Sequence, residues 1–458
     1  MQLAEVRPSG PQTILALAVI ALATLACLSP VHNDTWWHLA YGREMAERGG
    51  FAQVDWFSHT AEGRPFPNHQ WLGERALYAA FALGGLPLVT AFCACLLTTA
   101  WILCWRLSRG PLLDRLLVLS ACVAGSTLVW SIRPQVFTIV LLPTMVMLLV
   151  RRRLTLVPLV ILLWSNLHGG VLLGLLAIGM FAVVSTIYER RAVVAHLLCL
   201  VASVAATILT PLGLDYWPEI VRSLQRSQIN RLLEWQAPAL PPAQFFFWAA
   251  AAALVALTAA RWRWLSSSTE RAVVATALLL LPVAARSLRN VAPFMMLAGP
   301  ALTLLLDTGA RKDGTSDSRR SVGGGIAVAV TAVLALLLVG RAWIAPWQRL
   351  GWEPVSPGAA RAIRSCPGPL YNTYADGGPI IWFVPGRMVF LDSRQDQFPV
   401  ALVREATAVE NGADPRPLLD RYGIRCAALP PTSPTVATLT AEGWRVTYAD
   451  ATWVVVTR

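Results

Sequence analysis

The feature that most constrains this chain is the recurrence of long apolar runs separated by short segments rich in arginine. A helix rises about 1.5 Å per residue, so about twenty apolar residues cross a hydrocarbon core of about 30 Å. Such runs occur at residues 12–29, 86–105, 116–132, 134–150, 154–167, 171–187, 193–210, 245–260, 272–285, 291–306 and 326–340. The fifth is short enough for a broken or half-inserted helix. They predict an α-helical polytopic membrane protein of about eleven spans. Composition agrees: 14% of the 458 residues are charged, where soluble domains carry about 25%.

The arginines give the chain a direction. With the N-terminus in the cytoplasm, alternate loops carry Arg106, Arg109 and Arg115; Arg151, Arg152 and Arg153; Arg190 and Arg191; Arg261, Arg263 and Arg271; and Arg311, Lys312, Arg319 and Arg320. Each predicted inside loop is short and basic, as the positive-inside rule requires. The net charge of +12 is thereby read as membrane anchorage, and no nucleic-acid partner is expected. The reading is a multi-pass protein of a bacterial inner membrane. It divides into a transmembrane domain at 1–345, with a first external loop at 30–85, and an extracytoplasmic domain at 346–458. The run from Ile14 to Leu28 is read as an uncleaved first span, although a signal peptide with a poor lipobox at Ala23–Cys27 fits the same residues.

No span, with these bounds, contains Asp or Glu, which weighs against an ion- or proton-coupled transporter. The polar groups at membrane depth are Arg133, Asn166, His168, His196, Arg286 and Arg289, nearly all at outer span ends. Residues 307–325 read as a Gly/Ser/charge-rich cytoplasmic linker. The tail from Trp352 to Arg458 reads as a small α/β domain. Its predicted strands are Leu370–Tyr374, Met388–Asp392, Cys426–Leu429, Trp444–Tyr448 and Trp453–Val456, with helices at Val400–Glu410 and Pro434–Glu442. Among eight cysteines there is no metal-binding spacing. Six lie in apolar runs, and Cys366 and Cys426 remain as a pair that an oxidising compartment would allow to join.

Chemistry concentrates in Asn33–Glu74, which holds Asp34, Asp55 and Glu74, His38, His59 and His69, and four tryptophans. Thr35–Arg48 has the pattern of an amphipathic helix, with Trp36, Leu39, Ala40 and Met45 toward the membrane and Arg43, Glu44 and Glu47 toward water. Asp34 as its N-cap, with the tryptophans as an aromatic belt, is the plain structural alternative. Asp55 could equally be a turn residue, and Glu74 a solvated position on a helix over Trp71–Leu83. Asp376–Gly378 reads as a turn and Asp392–Arg394 as a local salt bridge.

An acid just beyond the first span, a juxtamembrane helix and a second acid in the same loop resemble the GT-C class of polytopic, lipid-linked-sugar glycosyltransferases. The resemblance is nearest to bacterial relatives of protein mannosyltransferases and to lipid A aminoarabinose transferases. It is carried further by DTWWHLAYGREM, VDWFSHTAEGRPFPNHQWLGE, IRPQVF, WSNLHGG, LEWQAP, RSLRNVAPF and YNTYADGGPIIWFVPGRMVFLDSR, which look like an uncharacterised branch of the class. The resemblance implies a carboxylate base at the water–membrane boundary, and Asp34 matches that position. An adjacent acidic pair is missing, so Asp55 would be the second acid. His38, His69 and Glu74 would help bind substrate. Arg133, Arg286, Arg289 and His168 would meet the phosphate of the donor, or snorkel as span-end residues do. A divalent metal is the one cofactor these residues admit; none is called for with certainty.

The expected function is transfer of a sugar from a polyprenyl-phosphate-linked donor to a periplasmic acceptor, with membrane lipids as surroundings. No Gly-rich phosphate loop points to a soluble nucleotide sugar. A flippase or channel component, and a non-catalytic envelope assembly protein, are the alternatives from other classes.

Overall fold

The computed structural model describes residues 9–51, 54–229, 233–307, 322–344, 350–394 and 397–458, with only the backbone described at 226–229, 233, 322 and 323. Most of the predicted linker, with Arg311, Lys312, Arg319 and Arg320, lies outside the described residues, as does Arg7.

Each of the eleven apolar runs forms a helix. In chain order the first part contains α1 (Gly10–Cys27), the polar helix α2 (Asn33–Arg48), α3 (Trp71–Leu107), α4 (Leu112–Ser126), α5 (Gln135–Val150), α6 (Val157–Leu167) and α7 (Val171–Tyr188). Then come α8 (Arg190–Ala206), the amphipathic α9 (Tyr216–Ile229), α10 (Phe245–Arg261), α11 (Ser268–Arg286), α12 (Val291–Leu306) and α13 (Val322–Ile344). Among the described residues eight helical segments are, by length and composition, long and apolar enough to cross a membrane alone; the runs at Gln135–Val150 and Leu154–Leu167 are shorter apolar helices. In α12 83% of the apolar window is buried, so this helix, apolar all round, is the bundle's centre. The window of α13 is 6% buried and that of α1 11%; the two pack on each other at the periphery.

The helices alternate in direction, which sorts their ends. One end is tied by Arg133–Asp34, Trp71–Asn166 and Trp343–Cys27 contacts. The other is tied by Arg109–Glu270, Arg152–Glu189 and Trp262–Tyr188. The described arginines of the predicted inside loops all fall at this second end. The helices run beyond the apolar stretches and so carry acids in their first turns: Glu74 in α3, Asp114 in α4 and Glu270 in α11. Glu74 and Glu270 are buried and Asp114 is exposed. Helix α3 bends where Gly84 and Gly85 leave helical geometry, Gly85 at φ +64°, a value that glycine tolerates and other residues resist. The bend separates the predicted Trp71–Leu83 helix from the second apolar run.

The tail builds a four-stranded sheet from β1 (Leu370–Asn372), β2 (Cys426–Leu429), β3 (Arg445–Ala449) and β4 (Val454–Thr457), in the order β1-β2-β4-β3. Only the β1–β2 pairing is parallel. Around it lie α14 (Pro357–Arg364), α15 (Gly377–Phe383), α16 (Val400–Glu410), α17 (Arg416–Arg421) and α18 (Pro434–Ala441). The segment predicted as a strand at Met388–Asp392 stays out of the sheet. Its partner is the first loop: Val389 exchanges backbone hydrogen bonds with Phe57 and His59 at 2.9 and 3.1 Å, and Thr60 donates to the Phe390 carbonyl. An extended segment satisfies its backbone groups wherever a partner strand is found.

Loop and tail therefore share one core. Trp37, Ala40, Tyr41 and Met45 of α2 and Phe66 pack with Ile363, Ile380, Val389 and Val455 of the tail. The apolar face of α2, expected to lie on the membrane, is covered instead by α3 and α15, with Trp36 against Phe383 at 4.8 Å and Trp382 at 6.4 Å. A Cβ at Gly378 would lie 2.5 Å from the Asn33 carbonyl oxygen, so glycine is what lets α15 sit on the first turn of α2. Asp376, expected in a turn, stands at the N-cap position of α15 without capping it, and its carboxylate accepts from the Thr373 hydroxyl instead.

Cys366 and Cys426 form a disulfide with Cα atoms 5.6 Å apart, closing a loop across a sequence separation of 60. On the chain-entropy account such a loop stabilises the fold by about 4 kcal/mol. Replacing both cysteines by alanine is expected to speed hydrogen exchange at the β2 and β4 amides of the tail while leaving that of α12 unchanged. Equal exchange in both proteins would show that the disulfide contributes no stability.

Candidate active site

Asp34 enters the site because His32, not Asp34, caps α2: the His32 ring accepts from the Asp34 backbone N–H at 3.2 Å. The Asp34 carboxylate is thereby released from capping. Its Oδ2 accepts from the Arg133 guanidinium at 2.9 Å and its Oδ1 from the Ser393 hydroxyl. Ser393 in turn accepts from the Trp37 indole N–H at 3.0 Å. Burial would push the Asp34 carboxyl up, but Arg133 and the Ser393 hydrogen bond, joined by the His32 charge where that ring is protonated, hold it below the usual carboxylate range. Asp34 is ionised at any physiological pH.

Arg133 stands between two acids. Besides Asp34 it grips Glu234 bidentately, at 3.0 and 2.7 Å, the geometry a guanidinium fork favours. Burial works against ionisation of Glu234, and Arg133 and Arg289 outweigh it, keeping this carboxyl below its ordinary value. Glu234 belongs to the LEWQAP stretch, whose role the sequence did not disclose. The only signal was an acid beside a tryptophan in a loop at the correct end of the bundle.

A second layer supports this pair. His38 is buried, and its Nδ1 lies 3.0 Å from Glu74 Oε1, while Asn68 donates to Glu74 Oε2 at 2.6 Å. Glu74 is thus sealed beneath His38 rather than solvated. His168 is bonded to Thr138 through Nδ1 at 2.8 Å, and its Nε2 accepts from Arg289 at 2.9 Å. Burial, reinforced by the Arg289 charge, holds His168 well below its ordinary value, so it is a neutral imidazole. Arg289 also lies over the Trp235 ring, 5.5 Å from its centroid, and its backbone carbonyl accepts from Gln135 at 3.0 Å. Gly169 and Gly170 make room for neighbouring side chains: added Cβ atoms would meet the His69 ring at 3.1 Å and overlap Thr138.

Two adjoining cavities meet at these residues. The larger, about 840 Å³, has walls that include Leu172, Leu173, Ile220, Leu224, Val283 and Pro293, and polar groups from Arg286, Arg289, His168 and His69. The smaller, about 120 Å³, is bounded by Asp34, His38, Arg133, Glu234, Ser393 and Arg394. His69, Gln135, His168, Ser223, Trp235 and Arg289 border both. The structure thus brings Asp34, His38, His69, Arg133, His168 and Arg289 around one polar junction, with Arg286 in the larger cavity and Glu74 behind His38.

Asp55 is placed elsewhere. It is 2% exposed and takes hydrogen bonds from Arg394 at 2.7 Å, from the Phe57 backbone at 2.9 Å and from Ser58. It borders neither cavity. The acid that shares Arg133 with Asp34 is Glu234. The three loop histidines do not converge either: His59 reaches the Leu370 carbonyl at 2.9 Å. Among the described residues no group of three or more His, Cys, Asp and Glu side chains is placed to hold a metal ion.

No protein-family model matches the sequence, and no curated protein matches it. Solved structures do. The archaeal oligosaccharyltransferase AglB of Archaeoglobus fulgidus, in complex with an inhibitory peptide and a dolichol-phosphate, superposes at a TM-score of 0.57 with 11% identity. The match covers 91% of this chain and 69% of that one. ArnT of Cupriavidus metallidurans bound to undecaprenyl phosphate superposes at 0.52 with 14% identity, over 97% of both chains. With a multi-span bundle, a polar helix following its first span and an acid in the smaller of two adjoining cavities, the chain has the fold of the GT-C glycosyltransferases.

Proposed function

We propose that this protein transfers a sugar from a polyprenyl-phosphate-linked donor to a hydroxyl-bearing acceptor at the outer face of a bacterial inner membrane. The observation that carries the reading is the pairing of cavities: an apolar-walled one with Arg286, Arg289 and His168 among its polar groups, joined to a small polar one that holds the Asp34 carboxylate. A polyprenyl phosphate has that same division, an apolar chain ending in an anion. The neighbours bound to undecaprenyl phosphate and dolichol-phosphate support it. The basic loops at the opposite end support the orientation.

In this reading the acceptor oxygen attacks the anomeric carbon from the small cavity. The bond between that carbon and the phosphate oxygen breaks, its electron pair leaving with polyprenyl phosphate. The acceptor's proton passes to Asp34. Arg289, held between His168 and Trp235, and Arg286 meet the negative charge that grows on the leaving phosphate. Arg133 holds Asp34 at fixed reach. A hydroxyl nucleophile suits a site whose acid is always ionised, since the proton is taken up as the new bond forms.

Arg289→Gln removes one charged donor from the phosphate end. Hydrogen bonds to charged groups contribute about 1.5–3 kcal/mol, so the Kd for undecaprenyl phosphate is expected to rise about tenfold to a hundredfold. Ligand-dependent thermal shifts of the purified protein in detergent measure it. Undecaprenyl phosphate that fails to stabilise the wild-type protein would overturn the functional reading.

A further inference from the structure

Within that function, we infer that Ser393, in the tail, is a positioning residue for sugar transfer: it fixes the carboxylate of Asp34, so the tail is part of the reaction centre. The inference rests on the proposed reaction and adds a residue to it from the far end of the sequence.

The two oxygens of Asp34 have different keepers. Arg133, from the loop before α5, holds Oδ2 at 2.9 Å, and the Ser393 hydroxyl donates to Oδ1. With one oxygen bound, a carboxylate still rotates about its Cβ–Cγ bond; with both bound from different elements, its plane is set. The direction of the Ser393 hydrogen bond is itself determined. The Trp37 indole can only donate, and it donates to Ser393 Oγ at 3.0 Å, so the Ser393 proton is directed to Asp34. Because Trp37 and Asp34 lie on one helix, Ser393 clamps the first turn of α2 from outside.

Ser393 is placed by its own surroundings. Its backbone carbonyl accepts from the Tyr374 hydroxyl at 3.1 Å. The next residue, Arg394, is locked to Asp392 at 2.5 Å and to Asp55 at 2.7 Å. Close packing of Gly378 on Asn33 brings this part of the tail against α2. Ser393 also borders the small cavity, beside Asp34, His38, Arg133 and Glu234. An alanine there leaves Arg133 on Oδ2 and nothing on Oδ1. The loss should fall on the geometry of proton transfer, where a displacement of about 1 Å can cost about a hundredfold, and not on the lipid, whose phosphate residues lie across the junction.

The test compares wild type, Ser393→Ala and Ser393→Thr as full-length protein in nanodiscs. Transfer of radiolabelled sugar from a panel of undecaprenyl-phosphate-linked hexoses and pentoses to an envelope extract gives kcat and KM. Undecaprenyl phosphate alone gives a binding constant. Ser393→Ala is expected to lower kcat about tenfold to a hundredfold, with KM for the lipid donor and Kd for undecaprenyl phosphate within twofold of wild type. Ser393→Thr, which keeps the hydroxyl, should recover most of kcat. An alanine variant with wild-type kcat would overturn the inference, and so would a loss that threonine does not recover or one carried by KM and Kd. Wild-type protein that neither binds undecaprenyl phosphate nor transfers any sugar of the panel would overturn the functional reading beneath it.

Discussion

Asp34→Asn is expected to cut sugar transfer severely while leaving the protein folded and in the membrane. The expected loss in kcat is about a hundredfold to ten-thousandfold, the range that a positioned general base contributes. The fold survives because the substitution orphans little. Asparagine's carbonyl oxygen still accepts a hydrogen bond, and Arg133, deprived of one carboxylate, keeps its bidentate hold on Glu234. What disappears is the proton acceptor. Transfer of labelled sugar from an undecaprenyl-phosphate donor, together with size-exclusion profiles of wild type and variant, measures both halves; a variant that transfers at the wild-type rate would remove Asp34 from the base role. The pH dependence has a definite sign. The folded-state pKa of Asp34 lies below that of a free carboxyl, so its contribution to stability is complete above about pH 4 and fades only in stronger acid. Any loss of activity between about pH 5 and 7 therefore arises from another group.

Arg394→Met is expected to act in the opposite way, unfolding the outer half of the molecule and with it the site. Arg394 is 4% exposed and donates to Asp392 at 2.8 and 2.5 Å, to Asp55 at 2.7 Å and to the Tyr41 hydroxyl at 2.5 Å. The rings of Tyr41, Phe57 and Phe66 lie 5.3 to 5.8 Å from its guanidinium carbon. Burial pushes the Asp392 carboxyl up even with Arg394 upon it. Without the arginine, two carboxylates stay buried with no cation. Removing one partner of a buried pair costs about 3–5 kcal/mol, against a total stability of about 5–15 kcal/mol for a domain. Lysine should not rescue the fold, because an ammonium cannot span Asp392, Asp55 and Tyr41 as the planar fork does. Limited proteolysis of the tail and of the first loop reads the effect, and both should be cut together because they share one core. Cleavage at the wild-type rate in Arg394→Met would show that the cluster carries no stability. The same cluster explains Asp55: its partner is a structural arginine, so Asp55→Asn should lose stability before it loses turnover.

The shared core also changes what tail deletion can reveal. An enzyme with an accessory tail would keep basal transfer when the tail is removed, whereas an assembly protein would lose everything. In this structure the tail supplies Ser393 to Asp34 and Arg394 to the first loop, so an enzyme loses activity as well. Single substitutions, not truncation, separate the two readings.

Much of this molecule is written locally. Every apolar run became a helix, because length against bilayer thickness and hydropathy are properties of a stretch and need no partner. The arginines of alternate loops sorted to one end for the same reason. Asp34 and Arg133 were recognisable as an acid and a cation at the water–membrane boundary. The helix over α2 was legible from its periodicity, but its partner was not. The hydrophobic effect has no direction, and a face carrying Trp36, Leu39 and Met45 is satisfied equally by lipid or by α3 and α15.

Long-range pairing was decided only by the tertiary structure. Glu234 lies 101 residues from Arg133, and Ser393 lies 359 residues from Asp34. No periodicity or spacing encodes such a meeting; it results from how the bundle closes and where the tail docks. Asp55 and Asp34 look alike in sequence, two acids near tryptophans in one loop. Folding gave Asp55 a buried arginine from the tail and gave Asp34 a place in the small cavity that adjoins the larger one. The sequence determined the spans, their alternation and the end where the polar groups gather. The tertiary structure decided which acid faces the cavity, because a carboxylate's role is set by the charges and hydrogen bonds brought to it through space.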